Sequence, residues 1–202
     1  MANNFDLSLS YALSCLRLEG LEVKDKQLEA IKAVYDCKDV FLWLPTGYGK
    51  SLCYQCLPFL FDHKLKRVDL PPKERSVCLV VSPLVSLMVD QVVNLRAKGV
   101  RAAILSGNKG IDKVLLATDK EIRDGGYSLL YSAPEAILCD KWREMLIEAP
   151  LCNQMVTITI DEAHCVSQWL VSIHIDVGSR VAYNSFIPAQ ELRFSTKLFI
   201  PP

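Results

Sequence analysis

Apolar residues run through this chain in short blocks separated by amphipathic stretches. Asp39–Leu44 (DVFLWL) predicts a buried strand, and Ser51–Phe61 behind it predicts a helix. Ser76–Ser82 (SVCLVVS) is apolar almost without interruption, as a central strand of a parallel sheet covered on both faces has to be. Beyond Pro83, the residues Leu84, Leu87, Met88, Val92 and Leu95 fall on one helical face. A short strand over Arg101–Ser106 precedes a helix-like stretch over Ile111–Arg123, whose apolar positions are Ile111, Val114, Leu115 and Ile122. Tyr127–Ser132 (YSLLYS) predicts another strand, Pro134 opens a short helix, and Lys141–Glu148 predicts a second. Met155–Asp161 (MVTITID) is β-branched and ends in an acid. Strand and helix alternate, which predicts an α/β domain with a mostly parallel sheet flanked by helices. In such sheets ligands bind beyond the carboxyl ends of the strands. The loops after Leu44, Ser82, Ser132 and Ile160 are therefore expected to share one rim.

The glycines and charges of that rim carry the chemistry. Leu44-Pro45-Thr46-Gly47-Tyr48-Gly49-Lys50-Ser51 lies between a predicted strand and a predicted helix. Gly47 and Gly49 let the backbone wrap with its N–H groups inward, and the following helix adds its positive end, which together make a phosphate cradle. Lys50 suits the β- and γ-phosphates of a nucleotide, and the Ser51 hydroxyl suits Mg²⁺. The strict pattern GxxxxGK[ST] is met only in part, because Leu44 stands where its first glycine belongs. Asp161-Glu162-Ala163-His164 follows the MVTITI strand. A carboxylate at that tip, Asp161, suits the nucleotide's Mg²⁺, and Glu162 suits polarisation of an attacking water. His164 suits a hydrogen bond to a neighbouring lobe or to the γ-phosphate region.

Other rim segments are Ser82-Pro83-Leu84, which opens a helix carrying Asp90-Gln91, then Ser106-Gly107, and then Ala133-Pro134-Glu135. Small polar residues and helix starts at a shared rim suit a nucleic-acid backbone, although each taken singly is an ordinary cap or turn. Gln27, on a helix upstream of the phosphate loop, offers the donor and acceptor that adenine needs, or is simply an exposed helix glutamine.

Composition narrows the classes. The chain has 202 residues, 23 basic and 23 acidic, and half of them are hydrophobic. This is globular composition for about one domain and is short for a two-lobed enzyme. Up to Trp169 there are 20 basic and 21 acidic residues, so any nucleic-acid contact has to come from the rim and not from bulk charge. The basic residues of the polar connection Lys64–Arg75 read as a solvated loop. No apolar run is long enough to span a bilayer. The eight cysteines read as reduced, mostly core and intracellular. Cys53 and Cys56 have CxxC spacing, but no second pair has zinc-like spacing.

Taken together, residues ~20–169, one ordinary domain length, resemble the first RecA-like lobe of a RecQ-type DNA helicase of superfamily two. Leu44–Ser51 (LPTGYGKS) fits the helicase form of the phosphate loop, [A/L]xTGxGK[ST], and continues as LCYQ. Ser82–Val92 (SPLVSLMVDQV) is similar to the family's motif Ia, Asp161–His164 to its DEAH box, and Cys165–Trp169 (CVSQW) to the start of its aromatic-rich loop. The resemblance implies ATP and Mg²⁺ as cofactors, with adenine held at Lys24 and Gln27 and phosphates at Thr46, Gly47, Tyr48, Gly49, Lys50 and Ser51. It implies Mg²⁺ ligation by Ser51 and Asp161, and catalysis by Lys50, Asp161, Glu162 and His164. It also implies contact with single-stranded or forked DNA through Pro83, Leu84, Ser86, Asp90, Gln91, Ser106, Gly107, Pro134, Glu135 and Trp169. The implied activity is ATP-driven 3′–5′ unwinding, and the implied compartment is the nucleus. After Trp169 the family pattern stops abruptly, and Leu170–His174 (LVSIH) replaces it. The expectation is a lobe over 1–169, a divergent tail over 170–202 that is foreign to the fold, and a truncated product without the second lobe. An arginine finger from that lobe is worth ~10³–10⁵ in related phosphoryl transfers. The competing reading is therefore a non-catalytic nucleotide- or DNA-binding fragment. Some other P-loop ATPase is a third reading, opposed by CVSQW and SPLVSLMVDQV.

Overall fold

The computed structural model describes residues 4–105, 111–147, 151–162 and the backbone of 197–200. Two helices come first, α1 (Asn4–Cys15) and α2 (Asp25–Tyr35). The alternating part then runs β1 (Val40–Phe41), α3 (Leu52–Gln55), α4 (Leu57–Lys64), β2 (Val77–Val81), α5 (Val85–Ala97), β3 (Ala102–Leu105), α6 (Asp119–Arg123), β4 (Leu129–Ser132), α7 (Pro134–Leu138), α8 (Asp140–Ile147), α9 (Leu151–Gln154), β5 (Met155–Asp161) and β6 (Lys197–Ile200). The strands form one sheet in the order β1-β6-β5-β2-β4-β3, and every pairing is parallel.

The period of two along each strand divides the core between the two faces of the sheet. Cys78, Val80, Ala102, Ile104, Leu129 and Tyr131 face a cluster built with α1 to α5. Val77, Leu79, Val81, Ala103, Leu105 and Leu130 face a second cluster with Ile122, Trp142, Met145 and Leu151. Burial on both sides explains why β2 is apolar at every position.

Several elements depart from the sequence pattern. β1 is shorter than Asp39–Leu44 and is not buried on both sides: Leu42 and Leu44 point into the core, whereas Phe41 and Trp43 are 65% and 78% exposed. It is an edge strand with one covered face. The helix expected over Ser51–Phe61 breaks at Cys56 into α3 and α4. Pro58 has no N–H with which to continue the ladder, so a new turn starts before it. No single helix forms over Ile111–Arg123. Asp112 caps a 3₁₀ turn at Lys113–Leu115, Leu116 bridges to Ile104 of β3, and Thr118 caps a separate α6. Leu84 precedes α5 and is half exposed, so the buried stripe of that helix is Met88, Gln91, Val92 and Leu95.

Beyond Trp169, Lys197–Ile200 supplies β6, between β1 and β5. The run Leu198-Phe199-Ile200 has the uninterrupted apolar character that an interior slot requires.

In the 64–75 connection Lys66 and Lys73 are exposed, whereas Lys64 and Arg75 are used internally. Lys64 Nζ donates to the Tyr35 carbonyl and lies over the Tyr35 ring. Arg75 donates to the carbonyls of Val68 and Leu70 at 2.7 and 3.0 Å. Cys53 and Cys56 are core residues whose thiols burial pushes up, that of Cys53 to about 12. Among the described residues no helix is long and apolar enough to cross a membrane.

Candidate nucleotide site

Because all strands are parallel, β1, β2, β4 and β5 deliver their carboxyl ends to one rim. The phosphate loop leaves β1 there. Gly47 and Gly49 adopt φ of +80° and +93°, in the left-handed region that glycine tolerates. A brace from α2 holds the loop. Gln27 Nε2 donates to the carbonyls of Tyr48 and Gly49 at 3.2 and 2.9 Å, and its Oε1 accepts from the Lys24 backbone N–H at 3.0 Å. Lys24 Nζ also donates to the Tyr48 carbonyl, at 3.2 Å, and lies 4.3 Å from the centre of the Tyr48 ring. Lys50 Nζ reaches back across the loop to the Leu44 carbonyl at 3.2 Å. Gln27 is buried and is not an exposed helix glutamine. Both of its amide hydrogens are spent on the loop.

The acid sits at the tip of β5. Asp161 is 6% exposed. Burial pushes its carboxyl up to about 6, and the neighbouring Glu162 adds to the rise, while the Glu162 backbone N–H and the Lys50 charge oppose it. Glu162 turns away with φ +58°, and its N–H donates to Asp161 Oδ1 at 3.2 Å. A buried carboxylate this costly to ionise, within electrostatic reach of Lys50, fits a divalent cation. The open, glycine-lined loop beside it fits phosphate oxygens. Asp161, Ser51 and Lys50 therefore form a donor set suited to Mg-nucleotide.

A cluster that links these parts was not foreseen. Gln91 Nε2 donates to Ser51 Oγ at 3.1 Å. Its Oε1 accepts from Tyr54 OH, Tyr131 OH and Gln55 Nε2, each at 2.9 Å. Gln91 is buried and its amide is consumed inside the lobe, which corrects its reading as a DNA contact. Its spacing was the available signal: three residues after Met88 and four before Leu95, it falls on the buried stripe of α5.

The remaining rim residues separate by exposure. Leu84, Ser86 and Asp90 are exposed, Pro83 is partly so, and Glu135 is exposed at the start of α7. Pro134 is buried as the first residue of α7, which corrects its reading as a surface contact; its fixed φ suits that helix position. Ser106, Gly107, His164 and Trp169 lie outside the described residues.

Comparison with known proteins gives the family. The DEAD/DEAH box helicase model matches residues 24–194. The ATP-dependent DNA helicase RecQ of Haemophilus influenzae is 36% identical over 143 residues, which cover 71% of this chain and 20% of that protein. The ATP-dependent helicase SGS1 of Saccharomyces cerevisiae is 37% identical over 147 residues, 72% of this chain and 10% of that one. For the ATP-dependent DNA helicase Q1 of Rattus norvegicus the figures are 35% over 145 residues, 71% and 21%. This chain thus spans about a fifth or less of these relatives. Among solved structures, the DUF1998 helicase MrfA bound to DNA and AMPPNP matches all of this chain and 26% of its own, with a TM-score of 0.63 at 17% identity, a likeness of fold. The α/β lobe, its phosphate loop and its DEAH strand thus agree with the family match, and the chain belongs to the DEAD/DEAH box helicase family, with RecQ-type helicases as its curated relatives.

Proposed function

We propose that this chain is the ATP-binding lobe of a RecQ-type DNA helicase that unwinds duplex DNA in the 3′–5′ direction. The observation that carries the reading is the braced phosphate loop, Gly49 against Gln27, on the same rim as the buried acid Asp161. In this reading the backbone of Thr46–Gly49 wraps the phosphates, Lys50 leaves the Leu44 carbonyl for the β- and γ-phosphates, and Ser51 and Asp161 hold Mg²⁺. ATP supplies the phosphoryl bond, and Mg²⁺ neutralises the charge that develops as it breaks. Glu162 orients the attacking water, and His164 bonds toward the γ-phosphate region or a facing lobe. Lys24 and Gln27 hold adenine, which requires Gln27 to exchange one of its bonds to the loop. DNA runs along Pro83, Leu84, Ser86, Asp90, Ser106, Gly107, Glu135 and Trp169, through backbone contacts with little sequence preference. The lobe extends over 1–169, with β6 added from the divergent segment 170–202. A nuclear location is what the RecQ-type resemblance implies where the host cell has a nucleus.

Titration with a fluorescent ATP analogue in Mg²⁺ tests the assignment. Binding by the wild type that Lys50→Ala abolishes is the expected result, and unchanged binding in that variant overturns it. The replacement of the family pattern after Trp169 by Leu170–His174 favours a second reading, in which these 202 residues bind nucleotide or DNA without turning ATP over. Appreciable DNA-stimulated phosphate release by the isolated chain would refute it.

A further inference from the structure

Gln91 is gripped at both ends of its carboxamide. A carboxamide has an acceptor end and a donor end. Three donors, Tyr54 OH, Tyr131 OH and Gln55 Nε2, converge at 2.9 Å on one of its ends. With the oxygen on that side, the Gln91 nitrogen faces Ser51 Oγ, 3.1 Å away, and donates to it. The ring ends of Tyr54 and Tyr131 are themselves fixed, since both residues are about 1% exposed in the core. Burial raises both phenols above their ordinary range, and the charge of Asp161 adds to the rise, so this cluster sits beside both protein groups suited to the cation.

A serine hydroxyl that ligates a cation has to present a lone pair in one direction. By donating to Ser51 Oγ, the Gln91 amide occupies one lone pair, fixes the side-chain rotamer and leaves the other lone pair for the metal. Outer partners of this kind set the direction of metal ligands and tune their affinity. We propose that Gln91 is a positioning residue for Mg²⁺: held by Tyr54 and Tyr131, it aims the Ser51 hydroxyl at the cation of the bound nucleotide and makes α5 the link between the rim and the metal. This rests on the nucleotide-binding reading above.

The test follows a fluorescent ATP analogue on the full chain while Mg²⁺ is titrated, with EDTA as the metal-free reference. Gln91→Met keeps the volume and removes the donor, and it is expected to raise the Mg²⁺ midpoint about tenfold while leaving metal-free binding unchanged. Ser51→Ala gives a similar shift, and adding Gln91→Met to it produces no further change, a result that a merely structural role of Gln91 would not give. An unshifted midpoint in folded Gln91→Met, or additive shifts in the double variant, overturns the proposal. If Gln91→Met does not fold, Tyr54→Phe, Tyr131→Phe and Gln55→Met together keep the side-chain volumes and remove all three groups that hold the amide. An unchanged midpoint there overturns the proposal equally. Absence of Mg-nucleotide binding by the wild type fails the parent reading instead, and a normal wild type with unshifted variants fails only this one.

Discussion

A Cβ placed on Gly49 would lie 2.7 Å from Nε2 of Gln27, the same nitrogen that donates to the Gly49 carbonyl. The loop is pressed onto its brace as closely as a residue without a side chain allows. Gly49→Ala is therefore expected to reduce Mg-nucleotide affinity by at least about tenfold, measured by calorimetry. Adding Gln27→Ala relieves the contact but leaves the φ of +93° and removes both the brace and a proposed adenine ligand, so affinity is expected to stay well below that of the wild type.

Asp161 sets a pH dependence with an unusual sign. Its carboxyl is raised from 3.8 to about 6 in the fold, so the folded chain holds this proton more tightly than the unfolded chain does. With respect to this group stability is greatest below about 4, falls as pH rises toward 6 and is flat above; the difference is worth about 3 kcal/mol. Asp161→Asn removes the charge. It is expected to be more stable than the wild type at pH 7.5 by roughly 1–3 kcal/mol in urea unfolding, and to lose that advantage near pH 4. A gap that does not narrow on acidification contradicts the assignment. The same variant is expected to lose Mg²⁺-dependent nucleotide binding.

Thr118 starts α6 with reciprocal bonds. Its Oγ1 accepts from the Glu121 N–H at 3.3 Å, and Glu121 Oε2 accepts from the Thr118 N–H at 3.3 Å and from Tyr127 OH at 2.7 Å. Thr118→Ala is expected to cost about 1 kcal/mol in chemical denaturation, with no effect on nucleotide affinity.

Gly125 adopts φ +72°, and a Cβ there would collide with the backbone of Lys73. The partner is main chain and has little room to move aside. Gly125→Ala is expected to destabilise the chain by about 2 kcal/mol or more, read as a lowered melting temperature.

Strand β2 is legible in the sequence because burial on both faces demands an unbroken apolar run, β5 because its residues are β-branched, and the phosphate loop because glycine, lysine and serine at fixed spacing have few other uses. Gln91 is legible only by half. Its helical spacing marks it as inward-facing, but its partners Tyr54 and Tyr131 lie 37 and 40 residues away, and no local pattern brings them together. The split of 111–123 is similar. The apolar spacing suits one helix, while the Leu116 bridge to β3 and the Thr118 cap override it through tertiary contact and local hydrogen bonds. Gln27 reads equally as a surface residue or an adenine ligand, and the fold uses it first as a strut for the loop.

β6 gives the site an order of assembly. Val40 and Phe41 pair with Leu198 and Phe199, and Ile158–Asp161 pair with Lys197–Ile200. The strand that launches the phosphate loop and the strand that carries Asp161 are thus neighbours only through four residues made more than ~150 positions after the first of them. During synthesis both halves of the site exist long before the ladder that sets their spacing. In the interval β1 and β5 each present an unpaired edge, open to pairing with another chain. Loss of those four residues would leave every proposed ligand of the cation in the polypeptide and remove the ruler between them.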